Sequence, residues 1–513
     1  MDSGASGGSG ADPDRDSLFY LLSDRLSLYM CGSRQNCSPI IDSVCTQMGD
    51  FYIPIYLCDP DQMISFWLLD RMPLFIPCLR GDSSRMDTLI FGDHPGIVRL
   101  CKDAFAVAQI HGIPFSLTVI GEKADEMEEQ FMTDCPGIDE PPAGIEFVRP
   151  VFIKMRPESR RLQKLLSVRP QKDWTTEEKN LSVILQAADY IVVYAAEESR
   201  NLRLSMFLRE WYLKTDPSFG RLPFIAAFCG REERAEQFRT LSVGAETAGF
   251  SWYNNYDIRC FGTQRQLYSY QTLVQCRVER RSRASFFILR GIRNEEECRE
   301  TKEGREIIHH VLHEYFSRFY NHDISAINAL ALNYRLFSAG ITFPDWHSYL
   351  TGISQKRLAD QFDKWLRAED AEGNDIAGEE AAGGKDKTTA GKDAAAGEEC
   401  MSQTAERRLE VLSMQEHDRW CRAMLSRGWM PASPAQMQAY IQRGCTRYQL
   451  YLAKLHPFLC SWEELGEMKP VPTGMQRIYG YLMQQIRPEK ESFDIRGIDR
   501  EKIRGTSYLA RIE

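Results

Sequence analysis

Between Asp87 and Phe228 the apolar positions follow two alternating rhythms. Thr88–Phe91, Ser116–Ile120, Phe147–Ile153, Tyr190–Ala195 and Pro223–Phe228 are short runs rich in β-branched and aromatic residues, which predicts strands. Between the first two runs, Ile97, Leu100, Cys101, Ala104 and Ala108 recur at helical spacing. Helices are also expected at Ala124–Met132 and Asn201–Leu213 and from Thr175, where Thr175-x-x-Glu178 fits a capping box. Strands alternating with helices imply a parallel sheet with right-handed crossovers. Upstream, Ser17–Met30 reads as an amphipathic helix, followed by a strand at Tyr52–Leu57, a helix opening at Asp59 or Asp61, and a strand at Leu74–Leu79. Downstream, residues 266–366 look mainly helical, with a short strand at Phe286–Leu289 inside the arginine-rich stretch Arg277–Arg293.

Near the C-terminus, Leu412, Glu416, Trp420 and Met424 recur every four residues, with Leu425 beside them, and Gly428 supplies a helix stop. A carboxylate one turn before a Trp on such a face has to be paired or hydrogen-bonded if buried. His456-Pro457 ends a further helix, and Ser461 can cap a last short one carrying Glu463 and Glu464. Ala368–Glu399 is low in complexity, with ten acids against three lysines and Ile376 as its single large apolar residue. That composition predicts a flexible linker. A helix carrying Ile478, Leu482 and Ile486 is expected after Pro472. The resulting organisation is a tail at 1–16, an α/β segment at 17–86, a sheet domain at 87–265, a helical region at 266–366, the linker at 367–400, and a small, mainly helical module at 401–513.

Composition narrows the function classes. The chain has 513 residues and a net charge of -9, unlike the basic surface of a general nucleic-acid binder. Fifteen cysteines without a CxxC pair fit reduced thiols better than a disulfide framework or a zinc ribbon. His309 and His313 share a helical face, but no third ligand or HExxH order accompanies them. Met1–Asp16 lacks the pattern of a signal peptide, and no apolar run approaches the ~20 residues of a membrane span, so a cytoplasmic protein is expected.

The first strand runs into Gly92-Asp93-His94-Pro95-Gly96. Leu117–Ile120 runs into Ala124-Asp125-Glu126-Met127, and Ala195-Ala196-Glu197-Glu198-Ser199-Arg200-Asn201 follows the fourth strand. With these stretches, residues 87–230 resemble the nucleotide-binding domain of TrkA-type potassium-transport regulators, a Rossmann variant. The resemblance implies a nucleotide or NAD(P) held by Gly92, Gly96, Glu122 and Asn201, and a membrane-transport or signalling partner. The GxGxxG turn of that family is degenerate here. Gly92 fits its first position, His94 and Ile97 replace the second and third glycines, and Gly96 is one residue out of register. Asp93 adds a negative charge where phosphate is expected, and the acidic residue after the second strand is replaced by Gly121, with Glu122 next to it. A basic stretch holding Lys154, Arg156, Arg160, Arg161, Lys164, Arg169 and Lys172 is either a solvated face or a receiver of an anionic ligand over the mouth of the sheet, with Arg160 and Arg161 as its nearest candidates.

Glu416, His417, Trp420, Gly428-Trp429, His456-Pro457, Leu459, Trp462 and Leu465 together resemble the RyR domain, a module named after ryanodine receptors and also found in bacterial proteins. Ile327–Leu336, with Asn328, Asn333 and Arg335, resembles the helix that precedes this motif in the bacterial proteins. The resemblance implies regulation or ligand sensing. The ligand side chains it points to are Glu416, Arg419, Trp420, Trp429, His456 and Trp462, unless the aromatics form a closed core. No Walker lysine, GxSxG serine or Cys/His signature is evident. The expectation is a non-catalytic sensor of a nucleotide-type small molecule, possible as a homo-oligomer; an NAD(P)-dependent oxidoreductase and a structural scaffold are the alternatives.

Overall fold

The computed structural model describes residues 26–47, 53–81, 83–166, 174–215, 222–243, 258–344, 346–351, 353–367, 393–444, 447–467 and 495–512. At its centre is a six-stranded, wholly parallel sheet: β1 (Met86–Phe91), β2 (Phe115–Gly121), β3 (Val151–Lys154), β4 (Tyr190–Val193), β5 (Phe224–Phe228) and β6 (Ile258–Phe261). Its spatial order is β3-β2-β1-β4-β5-β6. That is the strand order of the doubly wound Rossmann fold, whose order reverses between β1 and β4. β1 and β4 are buried at every position, as expected of parallel strands covered on both faces.

Helices cover both faces. Gly96–Val107 packs its apolar side on the core that also holds Ile90, Val119 and Val192. Thr176–Ala187, opened by the expected Thr175/Glu178 capping box, and Glu198–Thr215 cover the other face. Ahead of the sheet, strands Leu28–Cys31 and Ile55–Cys58 pair in parallel around helix Arg34–Gln47, and helix Pro60–Arg71 follows with Asp59 as its N-cap. After the sheet come helices Arg277–Leu289, Lys302–Phe316, Phe319–Leu330, Leu332–Ser338 and Lys356–Leu366. The C-terminal module is built on helix Asp393–Leu425, against which helix Ile495–Arg504 lies.

Several expectations are corrected. Residues 28–31 form a strand where a helix was expected, because they add to the ladder of 55–58; residues 17–25 lie outside the described residues. Leu74–Leu79 is no strand but a loop and a short helix at Ile76–Leu79, with Pro77 in its first turn, where a proline lacks no useful N–H. The third strand starts only at Val151, after Pro150, which has no donor for a ladder. Phe286–Leu289 belongs to helix Arg277–Leu289, which packs along Phe319–Leu330. Such short apolar runs have no decisive period of their own. Residues 368–392 and the expected helix after Pro472 lie outside the described residues, but the chain is helical from Asp393, inside the stretch read as linker.

Gly92 sits at the tip of β1 with φ of 148°. A Cβ there would lie 2.1 Å from the carbonyl oxygen of Tyr194, and one on Gly121 would lie 2.1 Å from the carbonyl oxygen of Gly92. The ends of β1, β2 and β4 therefore meet backbone to backbone. Gly92→Ala is expected to cost about 1–3 kcal/mol of stability through strain at this φ and the displaced strand ends. Denaturant titration reads this directly; an unchanged midpoint would mean the three ends are free to separate.

Candidate functional site

In an open α/β sheet the usual ligand position is the crevice beyond the carboxyl ends of β1 and β4. Here the crevice is filled by the chain itself. The His94 ring stacks on Tyr194 at 4.3 Å, and its Nδ1 accepts from the Gly96 amide at 3.0 Å. Burial lowers the pKa of His94, favouring the neutral ring that can accept this bond. Phe228 and Phe261 close the aromatic stack behind Tyr194. Above it, Arg200 joins three loops: its Nη1 lies 3.2 Å from Asp93 Oδ2, its Nη2 donates to Glu122 Oε1 at 2.8 Å, and its Nε donates to Glu158 Oε1 at 2.6 Å. Asp93 also accepts from the Ala196 amide. Asp93 is thus tied to the loop after β4, and the Gly96 amide at the start of the first sheet helix is taken by His94.

Four of the expected cofactor residues, Gly92, Gly96, Glu122 and Asn201, make close contacts within the chain. Gly92 and Gly96 serve backbone packing, since a Cβ on Gly96 would meet Tyr194 and Asp61. Glu122 is held by Arg200. Asn201 is wholly buried; it accepts from the Ala195 amide at 2.7 Å and donates to the carbonyls of Ala195 and Phe228, so it fastens β4 to β5. Arg160 and Arg161 begin the short helix Arg160–Leu165 and are exposed, with Arg161 3.7 Å from Glu178. The role of Arg200, which organises the whole crevice, has no local signal in the sequence, because its partners come from three separate loops.

The second candidate cluster is divided. Trp420 and Trp429 pack around His456, with ring separations of 5.0 and 5.8 Å, and Phe458 and Tyr320 complete this aromatic group. His456 Nδ1 accepts from the Phe458 amide. Glu416 and Arg419 point to a different side. Arg419 makes a two-pronged contact to Glu416 at 2.8 and 2.6 Å, Arg335 Nη2 donates to the same carboxylate at 2.8 Å, and Lys502 Nζ stands 3.7 Å away. Burial by itself would raise the pKa of Glu416; Arg335, Arg419 and Lys502 instead hold it well below the usual carboxylate range. Asn328 accepts from Arg335 at 2.5 Å, so the Asn328/Arg335 pair of the preceding helices reaches this carboxylate.

Glu416, Arg419, Trp462, Arg335 and Arg422 line a cavity of about 920 Å³ between helix Asp393–Leu425 and the loops that enter β2 and β3. It lies at the amino end of the strands, opposite the filled crevice. Arg335, Arg419 and Arg422 are all buried. Arg335 Nε, Arg419 Nη1 and Arg422 Nε donate to no described residue. Arg422 makes one hydrogen bond, from Nη2 to the Gln109 carbonyl at 2.9 Å, and burial lowers its pKa to about 10. Arg422 escaped the sequence reading, although it shares a helical face with Arg419 and Asp418.

One arrangement looks catalytic and is not accessible. Cys421 Sγ lies 3.5 Å from His417 Nε2, and His417 Nδ1 lies 3.2 Å from Asp499 Oδ2. Cys421 has no exposed surface, burial raises its thiol pKa, and His417 Nε2 is also 2.8 Å from the Cys460 carbonyl. A nucleophile needs the thiolate and an approach path, so this trio pins the module to helix Ile495–Arg504. Among the described residues no cluster of His, Cys, Asp and Glu could hold a metal, and no helix is long and apolar enough to cross a membrane. Comparison of the chain with protein-family models, curated proteins and solved structures gave no match.

Proposed function

We propose that this chain is a non-catalytic, cytoplasmic ligand-sensing regulator whose small-molecule site is the cavity beneath Glu416, Arg419 and Arg422. The observation that carries this is the set of unspent guanidinium donors. Three buried arginines line one cavity, and each retains an N–H without an acceptor among the described residues. A buried donor left unpaired costs about 1–3 kcal/mol, so an acceptor-rich occupant is favoured. Phosphate, carboxylate and the carbonyl edge of a base all match a guanidinium fork, and Trp462 offers a flat apolar wall. A nucleotide-type ligand meets these requirements. Two of these arginines, Arg335 and Arg419, also hold Glu416, so a ligand that draws on either acts on the contact between the module and the helices packed on the sheet. That link is what a sensor needs.

The test is a calorimetric panel of mononucleotides and NAD(P) on the full chain. Arg422→Ala should weaken the best binder roughly tenfold or more, since a hydrogen bond to a charged group is worth about 1.5–3 kcal/mol. Arg200→Ala should leave that affinity unchanged. If Arg200→Ala abolishes binding and Arg422→Ala does not, the site is at the carboxyl edge of the sheet instead. Turnover of NAD(P)H would favour an oxidoreductase.

A further inference from the structure

A second, larger cavity of about 1130 Å³ lies on the far side of the helical region, among helices Pro60–Arg71, Arg277–Leu289 and Phe319–Leu330 and the loop after β6. Its chemistry differs from that of the first. One wall is aromatic: Tyr29 stacks on Tyr56 at 5.2 Å with an interplanar angle of 24°, and Trp67 lines the same space. The charged floor is unbalanced. Asp70 accepts from Arg277 Nη2 at 2.6 Å, and Arg71 Nε lies 3.3 Å from the same oxygen. Arg281 also lines the cavity and acts on Asp70, so three guanidinium groups surround one carboxylate. Glu279 does not offset them, because His322 Nε2 stands 2.7 Å from its Oε2 and the Tyr315 hydroxyl donates to its Oε1.

The floor also has a defined acceptor. Asp70 is held ionised, its pKa lowered to about 2 by Arg277, Arg71 and Arg281 although burial opposes this, so it can only accept. Asn333 Nδ2 must then be the donor to Asp70, at 3.0 Å to its carbonyl and 3.3 Å to its carboxylate. That leaves Asn333 Oδ1 to accept from Gln355 Nε2 at 2.6 Å. The amide of Gln355 is therefore oriented by the chain behind it. Gln355, only 2 % exposed, lines the cavity, and its Oε1 accepts from no described residue. Arg277 Nε is likewise a buried donor with no acceptor among the described residues.

We propose that this cavity is a second small-molecule site, for a flat aromatic anion that also carries a hydrogen-bond donor. The anion complements the excess of arginine around Asp70 and takes the Arg277 Nε hydrogen, the donor meets Gln355 Oε1, and the ring lies against the Tyr29–Tyr56 stack. The site is independent of the arginine-lined cavity under Glu416 and shares no residue with it.

The test uses 4-aminobenzoate and 4-aminophenyl phosphate, with uncharged 4-aminobenzamide as the isosteric control, titrated into the full chain and followed by calorimetry or ligand-observed NMR. Both anions should bind, whichever head group is preferred, and the amide should bind at least tenfold more weakly. Arg277→Gln and Tyr29→Ala should each weaken the anions several-fold. Tyr29 is 37 % exposed, so its substitution keeps the test valid should Arg277→Gln fail to fold. Equal affinity for the amide, no binding of either anion, or affinity insensitive to Tyr29→Ala would overturn the proposal. Loss of anion binding in Arg422→Ala alone would also overturn it, by placing the ligand in the other cavity.

Discussion

Glu416→Gln is expected to lower the unfolding free energy by about 3–5 kcal/mol, the usual cost of leaving buried charges without their partner. Glu416 is 3 % exposed, and Arg335 and Arg419 both donate to it while Lys502 stands nearby. An amide accepts through one oxygen and carries no charge, so two buried guanidinium groups would lose their counter-ion. The pH dependence has a defined sign. Because the folded pKa lies well below the ordinary 4.5, the stabilisation is fully present above that value and is lost as pH falls through the folded pKa. Glu416→Gln should remove this acid-side loss along with the stability. Urea unfolding at neutral and acid pH measures both; a midpoint unchanged by the substitution would show that the carboxylate is dispensable to the fold. Replacing Glu416, Arg335 and Arg419 together by apolar residues should recover part of the loss, since apolar packing can match a buried ion cluster.

Asp323→Asn should have an effect of similar size, about 3–5 kcal/mol, and a wider structural reach. Asp323 lies 2.8 Å from Arg34 Nη1 and accepts from Arg427 Nε at 3.0 Å. Arg427 also bonds Asp103, which Arg99 shares at 2.9 Å. These residues come from helix Arg34–Gln47, the first helix of the sheet domain, helix Phe319–Leu330 and the turn just after the long module helix. Without Asp323 the three arginines face one remaining carboxylate. Burial already lowers the Arg34 pKa to about 10 despite its partner, so the unpaired charge would have to move toward solvent. Hydrogen exchange should speed up in residues 34–47 and around Arg427 before it does in the sheet. Uniform exchange across the chain would mean that the cluster does not hold these elements together.

The two clusters explain why the candidate site was only partly legible in the sequence. Glu416 stood out because a carboxylate on an apolar helical face requires a partner, and it has one. Its convergence with His456, Trp420 and Trp429 did not follow. Positions 416 and 419 turn toward the sheet, while 417, 420 and 421 turn toward His456 and Cys460. Spacing along one helix states which residues share its face but not which neighbour that face meets. The same holds at the carboxyl edge of the sheet. The degenerate loop Gly92–Gly96 was visible as a departure from a phosphate-binding turn, but the ion pairs over it join residues 93, 122, 158 and 200.

The sequence by itself determined the α/β class, the alternation of strands and helices up to Phe228, the Thr175 capping box and the stop at Gly428, because periodicity, caps and stops depend on residues within a few positions of one another; the sixth strand, Ile258–Phe261, was not among those expected. Tertiary structure alone decided that 28–31 is a strand, that Phe286–Leu289 is helical, and that Arg335, Arg419 and Arg422 share a cavity with Trp462. In those cases the local signal was weak or neutral, and the outcome was set by pairing and burial against segments up to hundreds of residues away, where a charge is tolerated only beside its counter-charge.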